Sequence, residues 1–455
     1  MSRKWFIALL TVSILALSAF SLVGVQAQGT CDGEEITLRL DDWSSGDRVE
    51  YMNQVLDAFM QEYPCVKVVA EPNIGDDQNT RRLTMIASGT APDLVATGES
   101  WIPLYAEAGG FMDLTPFVTG PEGFDPAAIF YEGVYNQGFY KGNPVAIAKD
   151  YSVNSFYVNK ALFDAAGISL PEEGWTYDDY LDIAMQMTLD ADGNNATSPD
   201  FNPDNIVQWG TDIIDDGWWR GYQSFLYSWG AHTISDDGTT TAGYLNSDAA
   251  VTAWEWYRDQ VHVHHVAPSG TLIGGTEGGR VQMFQDGKIA IGVTFHGPWW
   301  QDVFNETPNL DWGVVPIPTG PAGHHSAVMW MGWGINAKTE HPNEAWELLK
   351  WLTTEPGQRV FALKALSADR AVSEELQRVD DPYWGVYVAE AQYLDQLDEQ
   401  LNAYYGPCVF TPAGDLLKRV LADGGDMIDI KAELDTLAQS ADACLAESTA
   451  SGASS

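Results

Sequence analysis

Five short segments of this 455-residue chain set an aromatic ring beside a group that can accept or donate hydrogen bonds. They are Asp41-Asp42-Trp43, Glu99-Ser100-Trp101, Lys149-Asp150-Tyr151, Trp218-Trp219-Arg220 and His296-Gly297-Pro298-Trp299. A sixth, Trp330-Met331-Gly332-Trp333, brings two indoles together with a glycine that would let a ligand approach the backbone. An indole offers a flat apolar face, while carboxylates, guanidinium and imidazole supply hydrogen bonds at its edge. Such a mixture suits a ligand that offers both apolar faces and hydrogen-bonding groups. Asp42, Glu99 and Asp150 are read as hydroxyl acceptors, and Arg220 as the donor in preference to Arg370. Trp43, Trp219, Trp299 and Trp333 are the expected stacking plates, accompanied by Trp101, Tyr151, Trp218 and His296. The chain has 18 tryptophans, so others must serve packing: Trp175, Trp254, Trp256, Trp346 and Trp351, on helical stretches or at their starts, read as core.

The elements that must position these groups are legible from periodicity. Ile36–Leu40 and Val66–Val69 read as strands, and between them Val49, Met52, Val55, Leu56, Phe59, Met60 and Tyr63 recur at helical spacing. The opening is therefore strand, helix, strand, the start of an α/β lobe. A helix over Arg81–Ala87 stops at Ser88-Gly89, and Ala91–Thr97 begins a third strand. Strand-like runs recur at Pro144–Ala148, Ser152–Val158, Ile289–Phe295, Trp312–Ile317 and Val328–Ile335, and Pro342 opens a helix with an apolar face. In α/β lobes ligand-facing groups lie beyond the carboxyl ends of strands, where several of the aromatic segments fall. The length favours two such lobes.

Acidic side chains number 64 against 23 basic ones, a net charge of −41, which excludes nucleic-acid binding through phosphate neutralisation. Arg3 and Lys4 precede an uncharged run to Val23, and Val25-Gln26-Ala27 offers small residues, so residues 1–27 read as a secretory signal cut after Ala27. Cys31, Cys65, Cys408 and Cys444, an even count in an exported chain, read as disulfides. The chosen pairing is Cys31–Cys65, each cysteine just before a strand, with Cys408–Cys444. Asp190-Ala191-Asp192-Gly193-Asn194 has carboxylate spacing like a calcium loop, yet Phe201 stands where a bidentate glutamate is needed, so a polar turn is preferred. His262, His264 and His265 follow a helix and lead into Ala267-Pro268 as an ordinary loop would, and no metal or cofactor is expected.

Several segments together resemble the extracellular solute-binding proteins of ABC importers, specifically the large sugar-binding family that includes maltose-binding protein. Ser88-Gly89-Thr90-Ala91-Pro92-Asp93-Leu94 resembles the family's turn into its third strand. Tyr157-Val158-Asn159-Lys160-Ala161-Leu162-Phe163, then Ala166-Gly167-Ile168 and Gly174-Trp175-Thr176, is similar to its central signature. Phe284-Gln285-Asp286-Gly287-Lys288-Ile289-Ala290, Gly297-Pro298-Trp299 and Gly332-Trp333-Gly334-Ile335-Asn336 resemble later motifs in the same order. The resemblance implies a two-lobe fold of the periplasmic-binding-protein type II class, with ligand in a cleft between lobes joined by a hinge of several crossings. It places lobe one at 28–145 plus 319–365, lobe two at 146–318 plus 366–447, and a disordered tail at 448–455. The function it implies is a secreted monomeric receptor, periplasmic or extracellular, that captures a sugar or oligosaccharide and presents it to ABC permease subunits, with no enzymatic activity. A secreted glycosidase-like enzyme is the alternative from another class, although no carboxylate pair is singled out for that chemistry.

Overall fold

The computed structural model describes residues 35–452 apart from Asp47, Asp76, 213–218, 275–276 and 295–296, and the side chains of these except at 219–221, 277, 294, 297–299, 328 and 451–452. The strands are β1 (Ile36–Asp42), β2 (Val66–Pro72), β3 (Leu94–Gly98), β4 (Phe139–Tyr140), β5 (Asn143–Pro144), β6 (Ile147–Val153) and β7 (Ser155–Asn159). They are followed by β8 (Leu189–Asp190), β9 (Ile206–Thr211), β10 (Ile289–Thr294), β11 (Trp312–Val315), β12 (Val328–Ile335) and β13 (Leu366–Ser367).

Two mixed sheets organise the chain. The first runs β13-β6-β12-β3-β1-β2, with β1 parallel to β2 and β3, and β12 antiparallel to β3 and β6. The second runs β11-β7-β10-β9-β8, with β10 parallel to β9 and antiparallel to β7. Position in the sheet explains composition. β3, inside the first sheet, is the uncharged run Leu94-Val95-Ala96-Thr97, buried throughout. β2, at its edge, alternates buried Val66 and Val68 with outward Lys67 and Val69.

Helices cover these sheets through the faces their periodicity dictates. Arg48–Glu62 buries Met52, Val55, Leu56 and Phe59, and Pro342–Thr353 starts on a proline and buries Ala345, Trp346, Leu348, Leu349 and Leu352. Gly89 ends Gln78–Ser88 in the left-handed conformation with φ 71°, a backbone that glycine adopts without strain. Thr176 and Asp179 form a capping box at the start of Tyr177–Met187.

Some expected boundaries differ. Residues 147–153 and 366–367, expected in lobe two, belong to the first sheet: β6 bonds to β12 on one side and β13 on the other, which satisfies its backbone groups only there. The chain passes from β6 to β7 in the second sheet through the single residue Asn154, returns through 316–327 between β11 and β12, and leaves again after β13. The tail expected to be disordered from 448 instead continues the helix Ile430–Gly452. Alanines at 441, 443, 446 and 450 favour that helix, and a disulfide between Cys408 and Cys444 fastens it. Cys65 is also disulfide-bonded, whereas its expected partner Cys31 and the expected signal at 1–27 lie outside the described residues. Among the described residues no helix is long and apolar enough to cross a membrane.

Candidate ligand-binding cleft

A cavity of about 520 Å³ opens at the carboxyl ends of β1 and β2, a size within the usual range for small-molecule sites. Trp43 and Ser45 after β1, Ile74 and Gly75 after β2, Arg48 and Gln78 from two helix starts, and Asp150, Tyr151 and Ser152 of β6 contribute walls. Met329 and Met331 of β12 and the segment Lys364–Leu366 complete them.

Trp43 is the indole of this wall, and a buried assembly holds it in place. Its ring stacks on Trp333 with centroids 4.9 Å apart and planes inclined by 24°. Arg82 and Lys149 bring cationic groups within 6.0 and 5.7 Å of the same ring. Trp333 is 0% exposed, and its Nε1 donates to the Asp41 carbonyl at 2.9 Å. The Arg82 guanidinium is buried against the Asp41 carboxylate, which also accepts from the Ala96 amide at 3.1 Å. Burial pushes the Asp41 carboxyl up from its ordinary range, opposed by the charge of Arg82. The expectation that Trp333 stands in the cleft as a plate is therefore corrected. Along β12 it shares the face of Met329 and Met331, but Trp43 covers it.

Two expected carboxylate acceptors also turn inward. Asp42 is buried, and its Oδ1 accepts from the Ser44 amide at 2.9 Å, fixing the turn that presents Trp43. Glu99 is buried, and its Oε2 accepts from the Trp330 amide at 2.8 Å. Buried amides need acceptors, and these side chains supply them. Asp150 does line the cavity, 3.0 Å from the Lys149 ammonium. Tyr151 contributes to the same wall although nearly buried, and burial pushes its phenol well above the usual value. Trp101 lies outside that wall, packed against Tyr105 at 5.8 Å.

The structure thus brings Trp43, Asp150 and Tyr151 to one cavity. Trp218 and His296 lie outside the described residues, as do the side chains of Trp219, Arg220 and Trp299, which stand at or near the starts of the helices Trp219–Ser228 and Gly297–Glu306. Ser45, Arg48, Ile74, Gln78, Met329, Met331 and Lys364 escaped the sequence reading; only alternation along β12 could have pointed to the methionines. Of the expected core indoles, Trp175, Trp254 and Trp346 are buried, and Trp256 and Trp351 pack at the margin of the core.

The Asp190 loop is a turn. Its carboxylate accepts from the amides of Asp192 and Asn194, from Asn194 Nδ2 and from the Asn202 amide, at 2.9 to 3.1 Å. Burial raises this carboxyl, but these donors outweigh it and hold the group below its ordinary value. Oxygens occupied by four N–H groups are not arranged for a cation. His262 bonds to the Val420 carbonyl at 2.9 Å, a packing role.

Two mixed sheets joined by repeated crossings, with a cavity at strand ends in the first, define the architecture of a two-lobe solute receptor. Residues 43–359 match the bacterial extracellular solute-binding protein family, and the chain belongs to that family. A Brucella abortus (strain 2308) protein, provisionally named as a binding protein, is 25% identical over 360 residues, covering 77% of each chain. Among solved structures, the sugar-binding protein MalE from Xanthomonas citri shares 18% identity at a TM-score of 0.75, covering 91% of this chain and 98% of that one. A Listeria monocytogenes ABC substrate-binding protein in complex with cycloalternan shares 21% identity at a TM-score of 0.70, covering 90% of this chain and 98% of that one. By its family membership the protein is an extracellular solute-binding protein.

Proposed function

We propose that the protein captures a sugar or oligosaccharide in the cavity walled by Trp43 and delivers it, as a secreted receptor without turnover, to the permease of an ABC importer. The observation that carries this reading is the Trp43 indole at a strand end beside the carboxylate of Asp150, a stacking face with a hydrogen-bonding group in the same cavity. The sugar ligands named for the structural relatives point the same way. Residues 35–153 with 328–367 form lobe one in this reading, and residues 155–315 with 405–452 form lobe two. Trp218, Trp219, Arg220, His296 and Trp299 remain its proposed contacts from lobe two. A panel of mono- and oligosaccharides, screened by thermal shift and tryptophan fluorescence and followed by calorimetry, tests it. The expected result is saturable one-to-one binding with the sugar recovered unaltered. Turnover of the sugar, or no saturable binding across the panel, would overturn the proposal.

A further inference from the structure

Three histidines meet three carboxylates where the chain passes between the sheets. Glu390, Asp395 and Asp398 lie on the segment that leaves the first sheet after β13. His324 and His325 lie on the crossing at 316–327, between β11 and β12, and His232 follows the helix Trp219–Ser228. His324 Nε2 is 2.8 Å from Glu390, His325 Nδ1 is 3.0 Å from Asp395, and His232 Nδ1 is 3.0 Å from Asp398.

The same carboxylate segment is stitched to its surroundings through backbone. Ser326 donates its amide to the Tyr393 carbonyl at 3.0 Å, and Asp395 returns its own to Ser326 at 3.1 Å. Glu390 accepts from the Ile317 amide, Asp398 from the Thr233 amide and hydroxyl, and Gln137 donates to the Asp395 carbonyl. One short stretch thus ties the crossing at 316–327 to Gln137 just before β4 and to Thr233 just after the helix Trp219–Ser228.

We propose that this cluster is a proton-operated clasp on the hinge: with His232 and His325 charged it holds the crossings and lobes in the present arrangement, and with both neutral it lets them move more freely. The surroundings favour the charged forms. Asp398 faces His232, with Asp395 and Asp236 farther off and the Tyr227 ring 4.9 Å away. Asp395 faces His325, the Ala322 backbone adds a hydrogen bond, and His232 opposes with like charge. His324 stacks on Tyr393 at 3.9 Å, whose hydroxyl donates to Glu173 at 3.2 Å. Hydrogen bonding to Asp398 and to Asp395 raises the two imidazoles above their ordinary 6.5, against partial burial. Raised folded values mean that the contribution is complete below about pH 6.5 and is lost as pH rises through those values.

Hydrogen exchange on the ligand-free full chain at pH 6 and pH 8, corrected for intrinsic chemistry, tests this without reference to any sugar. A charge-assisted bond is roughly twice as strong as a neutral one, so amides of Ser326 and Asp395 should be about fivefold better protected at pH 6. The helix Pro342–Thr353 serves as a reference that should not change. In His232→Gln/His325→Gln the two pH values should give equal protection. Wild-type protection independent of pH would overturn the clasp, as would a double variant that keeps the dependence. Should the double variant fail to fold, each single variant is expected to lose part of the dependence, and full retention in both has the same overturning force.

Discussion

Trp43→Ala removes the indole wall of the cavity while leaving its foundation in place, so it separates binding from packing. The stack on Trp333 at 4.9 Å contributes about 0.5–1.5 kcal/mol beyond burial. Lys149 and Arg82, at 5.7 and 6.0 Å from the ring, add about 0.5–1 kcal/mol each for a partly exposed site. Stability in urea should therefore fall by about 1.5–3.5 kcal/mol from these contacts, with the burial of the ring in addition, a loss that a domain of ordinary stability survives. Loss of a stacking face worth about 1.4 kcal/mol to the ligand should weaken the cognate sugar about tenfold by calorimetry. Trp333→Phe is the companion variant. It keeps an aromatic platform but gives up the bond from Nε1 to the Asp41 carbonyl, so stability should drop by about 1–3 kcal/mol with a much smaller effect on affinity. If Trp43→Ala loses the expected stability yet binds the sugar within twofold of wild type, the indole is packing alone and the proposed contact is wrong.

Asp190→Ala should lower the melting temperature because four N–H donors lose their acceptor, whereas a chelator should leave wild-type melting unchanged. Since the Asp190 carboxyl is held below its ordinary 3.8, its contribution should persist above that value and disappear as pH falls through the lower folded one. Asp212 runs the other way: burial pushes its carboxyl up to about 6, although Arg280 lies 3.4 Å away. The fold favours its protonated form, so stability from this group rises as pH falls from about 6 toward 3.8, and an infrared carboxylic-acid band should titrate near 6 and vanish in Asp212→Asn. Asp212→Asn, which is uncharged at every pH, should abolish this pH dependence of stability in urea between pH 4 and pH 8. Cys408→Ala/Cys444→Ala opens a loop with a sequence separation of 36 and should cost about 3–4 kcal/mol in denaturant unfolding.

The strand–helix–strand opening, β3, β12 and the helix Pro342–Thr353 were legible because their signals are local: alternation, helical spacing, Gly89 and Pro342. The sheet to which β6 belongs was not, because its partner β12 lies far along the chain and no local pattern records that pairing. The same division holds in the site. Trp43 was singled out by its type and its place after a strand, Asp150 by its place at the presumed hinge, and both line the cavity. Trp333 was expected to stand open in the cleft, but its covering by Trp43 depends on a loop about 290 residues away in sequence, which periodicity cannot register.

Asp42 and Glu99 show why carboxylates at strand ends are ambiguous. Where a strand stops, amides lose their ladder partners, and a nearby aspartate or glutamate can satisfy them as readily as it can meet a ligand hydroxyl. Here Asp42 serves the turn that presents Trp43, Glu99 serves the Trp330 amide between the wall residues Met329 and Met331, and Asp41 serves Arg82 beneath. Their positions in the sequence resemble those of ligand acceptors because they support the same loops. The wall around Trp43 carries Tyr151, Ser152 and two methionines, an aspartate neutralised by Lys149, and the cations Arg48 and Lys364, so the acidity of the chain, net −41, is not transmitted to it. A surface of that charge repels anions but not an uncharged polyol. The acidity and the aromatic cavity are therefore compatible, and the proposed recognition of a sugar there needs stacking and hydrogen bonding rather than ion pairing.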